Sequence, residues 1–221
     1  AAAAKRALLE RGLKSKQALL SDDIPKGTGR TSGPLSFAQQ RLWFLDRFRG
    51  GSAEYHIPEA LRLRGALDTQ ALERAVNTIV ERHESLRTRF VEVDGEPIQV
   101  VAPVLTIPLP LEDWSGLATQ AREEALAAAL RRERQSPFDL SQGPLLRMSL
   151  LKLGPREHVL LWTFHHIVTD GWSVGVFRRE LAALYEAYRE GRSSALEPLP
   201  VQYVDYAAWQ RQRLAGEALE R

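Results

Sequence analysis

The densest group of reactive side chains in the 221-residue sequence is Thr163-Phe164-His165-His166-Ile167-Val168-Thr169-Asp170-Gly171-Trp172-Ser173. An apolar strand-like run precedes it and a helix-like run follows. Strand ends that feed a helix are common places to mount a site. Side chains alternate along a strand, so His165 and His166 face opposite ways, and one imidazole can be buried while the other faces a cleft. Imidazole takes up and releases protons near neutral pH, which suits it to proton transfer. Asp170-Gly171 also reads as an ordinary turn pair. His165, His166 and Asp170 are potential metal ligands. Adjacent histidines on a strand point apart, however, and no third histidine lies at a helpful spacing, so no metal site is expected.

A second polar group is Arg82-His83-Glu84-Ser85-Leu86-Arg87-Thr88-Arg89-Phe90. On spacing alone it is a helix C-terminus with favourable cations running into a strand. The functional alternative is that one arginine of this run reaches Asp170 and braces its loop as a charge-assisted pair. A third patch, Ser36, Gln39, Arg41 and Trp43, is by spacing an amphipathic helix whose start carries a capping box.

The elements that would hold these groups follow from periodicity and punctuation. Residues 5–20 suit an amphipathic helix, and the Gly-, Pro-, Ser- and Thr-rich stretch 21–34 reads as a linker. Ser36 caps a helix carrying Phe37, Leu42, Trp43, Leu45 and Phe48. Residues 57–64 read as a strand. Asp68 caps a helix running to about His83, with Leu72, Val76, Ile79 and Val80 on its apolar face. Leu86 to Val93 and Pro97 to Val101 form a hairpin about Asp94-Gly95. Pro108 and Pro110 allow at most an edge strand next. Residues 117–135 are a charged, Ala-rich helix. Leu145 to Leu153 and Val159 to Phe164 form a second, largely buried hairpin. Ser173 begins a helix ending near Gly191, and Val201 to Leu214 is helical. The sum is an α/β (α+β) sandwich, with helices on a mostly antiparallel or mixed sheet.

Composition narrows the function classes. Hydrophobic residues make up 44%, too many for a disordered chain. With no cysteine, disulfides, thiolate metal sites and a cysteine nucleophile are excluded from the sequence. Thirty basic and 28 acidic residues give a net charge of +2 with no basic run, so nucleic acid is not an expected partner. No apolar run approaches the roughly 18 residues of a membrane span, and the N-terminus lacks a signal-like apolar core. A cytoplasmic protein is expected.

Four runs together resemble the condensation domain of nonribosomal peptide synthetases. They are Pro34 to Leu45, Arg82 to Phe90, His165 to Ser173 with the His-His-x-x-x-Asp-Gly signature, and Tyr203-Val204-Asp205-Tyr206-Ala207-Ala208-Trp209. They occur in the family's order and at family-like separations. The resemblance implies a chloramphenicol acetyltransferase-like two-layer sandwich. It also implies that residues 34–221 are the N-terminal lobe of a two-lobed domain, residues 1–33 being a helix and inter-domain linker. Because the second lobe's motifs are missing, the lobe alone is expected to be inactive. Its exposed apolar face is expected to promote self-association.

The implied activity is an acyltransferase making amide bonds: an acceptor aminoacyl amine attacks a donor acyl thioester. No cofactor is expected to bind directly, because both substrates ride on phosphopantetheine arms of carrier proteins. The implied partners are upstream and downstream peptidyl carrier domains, an adjacent adenylation domain and the C-terminal lobe. Carried over by position, His166 is the catalytic histidine and His165 a support. Asp170 is a structural acid paired with Arg82 as first choice or Arg87 as second, and Gly171 permits close backbone approach. The retained histidine pair sets the chain apart from cyclisation domains, and Gly171-Trp172-Ser173 resembles condensation more than epimerisation. The Arg82 to Phe90 run resembles domains that accept an L-configured donor. The rival readings are a non-catalytic carrier-docking module, an epimerisation-type or other acyltransferase of the superfamily, and a metal hydrolase.

Overall fold

The structure is a computed structural model and describes residues 23–214. The helix expected at 5–20 lies outside them. In chain order the elements are β1 (Ser32–Pro34), α1 (Phe37–Arg49), β2 (His56–Arg64), α2 (Thr69–Arg82), β3 (Thr88–Val93) and β4 (Glu96–Val101). They continue with β5 (Leu111–Asp113), α3 (Thr119–Gln135), β6 (Leu146–Gly154), β7 (Glu157–His165), α4 (Gly171–Arg189) and α5 (Tyr203–Arg213).

Local chemistry explains most boundaries. Ser36 accepts from the Gln39 N–H at 3.1 Å while the Gln39 side chain accepts from the Ser36 N–H at 2.9 Å, the reciprocal capping box that the spacing predicts. Asp68 accepts from the Ala71 N–H at 2.9 Å and starts α2. Asp94 and Gly95 both adopt positive φ, 52° and 82°, which a two-residue primed turn needs, and join β3 to β4. Asp170 caps α4, so that helix begins at Gly171 rather than at Ser173.

Four strands form the main sheet in the order β2-β7-β6-β5, antiparallel except for the parallel edge pair β5–β6. A second sheet has the order β1-β4-β3. Part of the stretch read as a linker therefore joins the fold: Ser32 to Pro34 pair with β4, and the Gly27 N–H donates to the Pro200 carbonyl at 3.2 Å. Turn-rich composition predicts a loop but does not reveal a strand edge waiting elsewhere in the chain.

Helices cover both faces of the main sheet. Even-numbered Leu160, Trp162 and Phe164 of β7 pack into the larger core with Ile79 of α2 and Val174 and Phe177 of α4. Odd-numbered Val159 and Leu161 join Leu151, Leu153 and Ala129 of α3 on the other face. Burial on both sides is why β7 reads as a nearly continuous apolar run without clear alternation. Trp162 and Phe164 are each 1% exposed and pack edge-on or tilted against Phe177, which ties α4 to the strand that ends at the histidine pair.

Candidate functional site

Strand β7 ends on His165, and the chain then turns into α4. The main chain at this point is held on both sides. The His165 N–H donates to the Leu145 carbonyl at 3.0 Å, and the His166 N–H donates to the Tyr55 carbonyl at 2.8 Å. The alternation that packs β7 on both faces then separates the two imidazoles.

His165 is fully buried. Its Nδ1 accepts from the Ile167 N–H at 3.1 Å, which places the ring proton on Nε2. Nε2 has no hydrogen-bond partner among the described residues and sits among rings instead. His56 lies 5.8 Å away and Phe138 6.1 Å away, both edge-on. Burial pushes the His165 pKa down to about 4, with His56 and His166 adding repulsion. This ring is a neutral structural post.

The His166 side chain is exposed and opens onto a cleft of about 740 Å³. Apolar walls come from Ile79, Leu86, Phe164 and Phe177, and polar points from Asp170, Tyr203 and His83. The Tyr203 hydroxyl lies 3.0 Å from Ser36 Oγ, linking α5 to the cap of α1, and burial raises its pKa. Trp172, at the first turn of α4, is 81% exposed.

Asp170 shapes the turn from its side chain. The Ser173 N–H and hydroxyl donate to Asp170 Oδ1 at 2.8 and 2.7 Å. These donors, the hydroxyl first, hold the carboxyl below the usual carboxylate range and favour its charged form at the positive end of α4.

The expected arginine partner is not there. Arg82 Nε donates to Glu180 Oε1 at 3.1 Å, and Arg87 donates to Glu84 at 3.2 Å and to the Ala102 carbonyl. Geometry explains the difference. The C-terminus of α2 meets α4 at Glu180, ten residues along from Asp170, and ten residues of helix span about 15 Å. The loop is braced by the helix cap, and the arginines fix the wall of the cleft. At Gly171 a Cβ would meet nothing within 4 Å, so no protein neighbour demands a glycine at the cleft mouth.

The structure also brings in groups that the sequence reading left unassigned: His83 and Tyr203 at the cleft, with Glu180 and Gln202 behind His83. His83 lies inside a singled-out run and was within reach of sequence reasoning. Glu180 is one of several charges on α4, and nothing local marks it.

Comparison with known proteins bears on the family and the fold. The sequence model of the family described as "Condensation domain" matches residues 30–221. Malpinin synthetase of Mortierella alpina is 49% identical over 187 residues, covering 85% of this chain and 2% of that protein. Phosphinothricin tripeptide synthetase PhsC of Streptomyces viridochromogenes is 43% identical over 217 residues, covering 97% of this chain and 20% of that one. Among solved structures, the X-domain from teicoplanin biosynthesis superposes with a TM-score of 0.75 at 38% identity, over 89% of this chain and 41% of that chain. The first condensation domain of the CDA synthetase gives 0.74 at 27%, over 86% and 48%. The chain thus spans less than half of these solved structures and a small part of the curated relatives.

Proposed function

The chain belongs to the condensation-domain family of nonribosomal peptide synthetases, and we propose that it is the lobe carrying His166 in an acyl transfer that joins two carrier-bound thioesters through an amide bond. The observation that carries this reading is the split histidine pair: His165 sealed under β7, His166 open to the cleft.

The acceptor's α-amine attacks the donor thioester carbonyl. A C–N bond forms, the C–S bond breaks, and the thiol leaves with the proton that the amine loses. An α-ammonium has a pKa of about 7.7–8.0, so roughly a tenth is already free amine near pH 7, and deprotonation costs only about 1 kcal/mol. The larger task is alignment. His166 holds the amine toward the carbonyl by a hydrogen bond and receives or relays its proton as the tetrahedral centre collapses. Asp170 keeps the His166 turn in shape by capping α4, and His165 supports it from below. The open space at Gly171 leaves room for a phosphopantetheine arm, which supplies the thioester leaving group when present. Arg82 and Arg87 act on the cleft wall through Glu180 and Glu84.

In this reading the partners are peptidyl carrier domains on either side, an adenylation domain and a second condensation lobe, in the cytoplasm. Among the described residues no helix is long and apolar enough to cross a membrane.

Reconstitution tests the reading. A polypeptide joining this chain to a second condensation lobe is mixed with donor-loaded and acceptor-loaded carriers. Intact-protein mass spectrometry is expected to show the acceptor carrier gaining the donor acyl mass, and the 221-residue chain alone is expected to give none. A complete domain that binds both carriers without transfer contradicts catalysis and leaves a docking module. An isomerised donor without an amide points to epimerisation.

A further inference from the structure

The cleft holds a second imidazole that the amide-forming reading does not use. His83 closes α2, its N–H donating to the Ile79 carbonyl at 2.9 Å. The Gln202 side chain grips the chain on both sides of it. Gln202 Nε2 donates to the Arg82 carbonyl at 3.0 Å, and its Oε1 accepts from the Glu84 N–H at 3.1 Å. The ring itself is set by a carboxylate: His83 Nε2 lies 2.7 Å from Glu180 Oε2, while Glu180 Oε1 accepts from Arg82 Nε at 3.1 Å. Both Glu180 and Arg82 are well buried, with side chains 11% and 16% exposed.

A paired carboxylate only accepts hydrogen bonds, so Nε2 must carry the proton. In the neutral ring Nδ1 is then left with its lone pair. Among the described residues Nδ1 has no hydrogen bond, and His83 lines the same cleft as His166. His165 makes the contrast: its Nδ1 is spent on Ile167 and its ring is sealed. A histidine serving only to staple α2 to α4 needs the Glu180 contact and nothing more. Three elements instead fix a ring whose Nδ1 lone pair, in the neutral form, is unspent, on a residue that lines a substrate-sized cavity.

We propose that His83 is a positioning residue whose Nδ1 accepts a hydrogen bond from an N–H of the thioester-bound substrate, with Glu180 and Arg82 holding the tautomer that makes this possible. The proposal rests on the amide-forming reading. The shared ligand chemistry is an N–H donor, which could be the α-amine of an aminoacyl group or an amide of the pantetheine arm.

Two substitutions separate acceptor from staple. His83→Gln can reach Glu180 with its amide but offers nothing at the Nδ1 position. His83→Asn offers an acceptor near Nδ1 and loses Glu180. The probes are an aminoacyl N-acetylcysteamine thioester and free pantetheine, titrated into the 221-residue chain by calorimetry, with thermal melting alongside. The expected result is that His83→Gln melts near wild type but binds the probe about five- to tenfold more weakly, the loss expected for one hydrogen bond. His83→Asn is expected to melt lower and to bind more tightly than the Gln variant. Loss confined to the aminoacyl probe assigns the donor to the α-amine, and equal loss for pantetheine assigns it to the arm.

The reverse pattern, with Gln binding like wild type and Asn weak, overturns the proposal and leaves a staple. If that pattern appears while the complete domain still forms amide, the inference fails and the amide-forming reading stands. If neither probe binds wild type and no amide forms, both fail.

Discussion

Replacing His166 by alanine is expected to cut amide formation in a complete domain by about 10²–10⁴-fold, the range that one proton-transferring side chain supplies. Stability is expected to change little. The His166 ring is exposed and makes no hydrogen bond among the described residues, and the fold uses only its backbone N–H, which any residue provides. Exposed substitutions of this kind usually stay within about 0.5 kcal/mol. Single-turnover transfer between loaded carriers reads the first effect and thermal melting the second. Wild-type transfer by the variant removes His166 from the chemistry. A melting point lowered by many degrees shows instead that the ring serves the fold.

Acid is expected to weaken the fold in a defined window. His165 has a folded pKa of about 4 against an ordinary 6.5. The unfolded chain therefore takes up the proton first as pH falls. The stabilisation is fully present above about pH 6.5, drains away between 6.5 and 4, and is gone below. A shift of this size corresponds to about 3 kcal/mol for a group with no exposure. His56 and His158 shift in the same direction, chiefly through burial, and add to the loss. The carboxylates of Asp139 and Asp170 are held below 3.8, mainly by serine hydroxyls, so their contribution is lost only at lower pH. Urea midpoints measured from pH 7.5 to 4 are expected to hold to about pH 6.5 and fall below it, and His165→Phe, which cannot protonate, is expected to flatten part of that slope. A wild-type midpoint unchanged across the window contradicts a sealed neutral His165.

The sequence revealed what is local. Ser36 with Gln39, Asp68 with Ala71, and Asp94-Gly95 are decided within four residues, and each forms as its chemistry requires. The separation of His165 from His166 was readable for the same reason, since strand alternation needs no knowledge of the rest of the fold. Readings that depended on distant partners fared differently. Ser32 pairs with Val100, and no local signal in residues 21–34 points to that strand. The resemblance implied a pairing of Asp170 with Arg82 or Arg87, whereas the end of α2 meets α4 at Glu180. The switch of the pairing partner moved Asp170 from ion pair to helix cap. It also exposed the His83 arrangement, in which Glu180 comes from 97 residues further along the chain and Gln202 reaches the Glu84 N–H across 118.

The end of β7 divides its adjacent histidines, sealing one and presenting the other to the cleft. Carbethoxylation of the native chain by diethyl pyrocarbonate, mapped by peptide mass spectrometry, reads that division directly. Rapid modification is expected at His166, with His165 protected until the chain is unfolded. Equal reactivity at both positions, or modification of His165 ahead of His166, contradicts it.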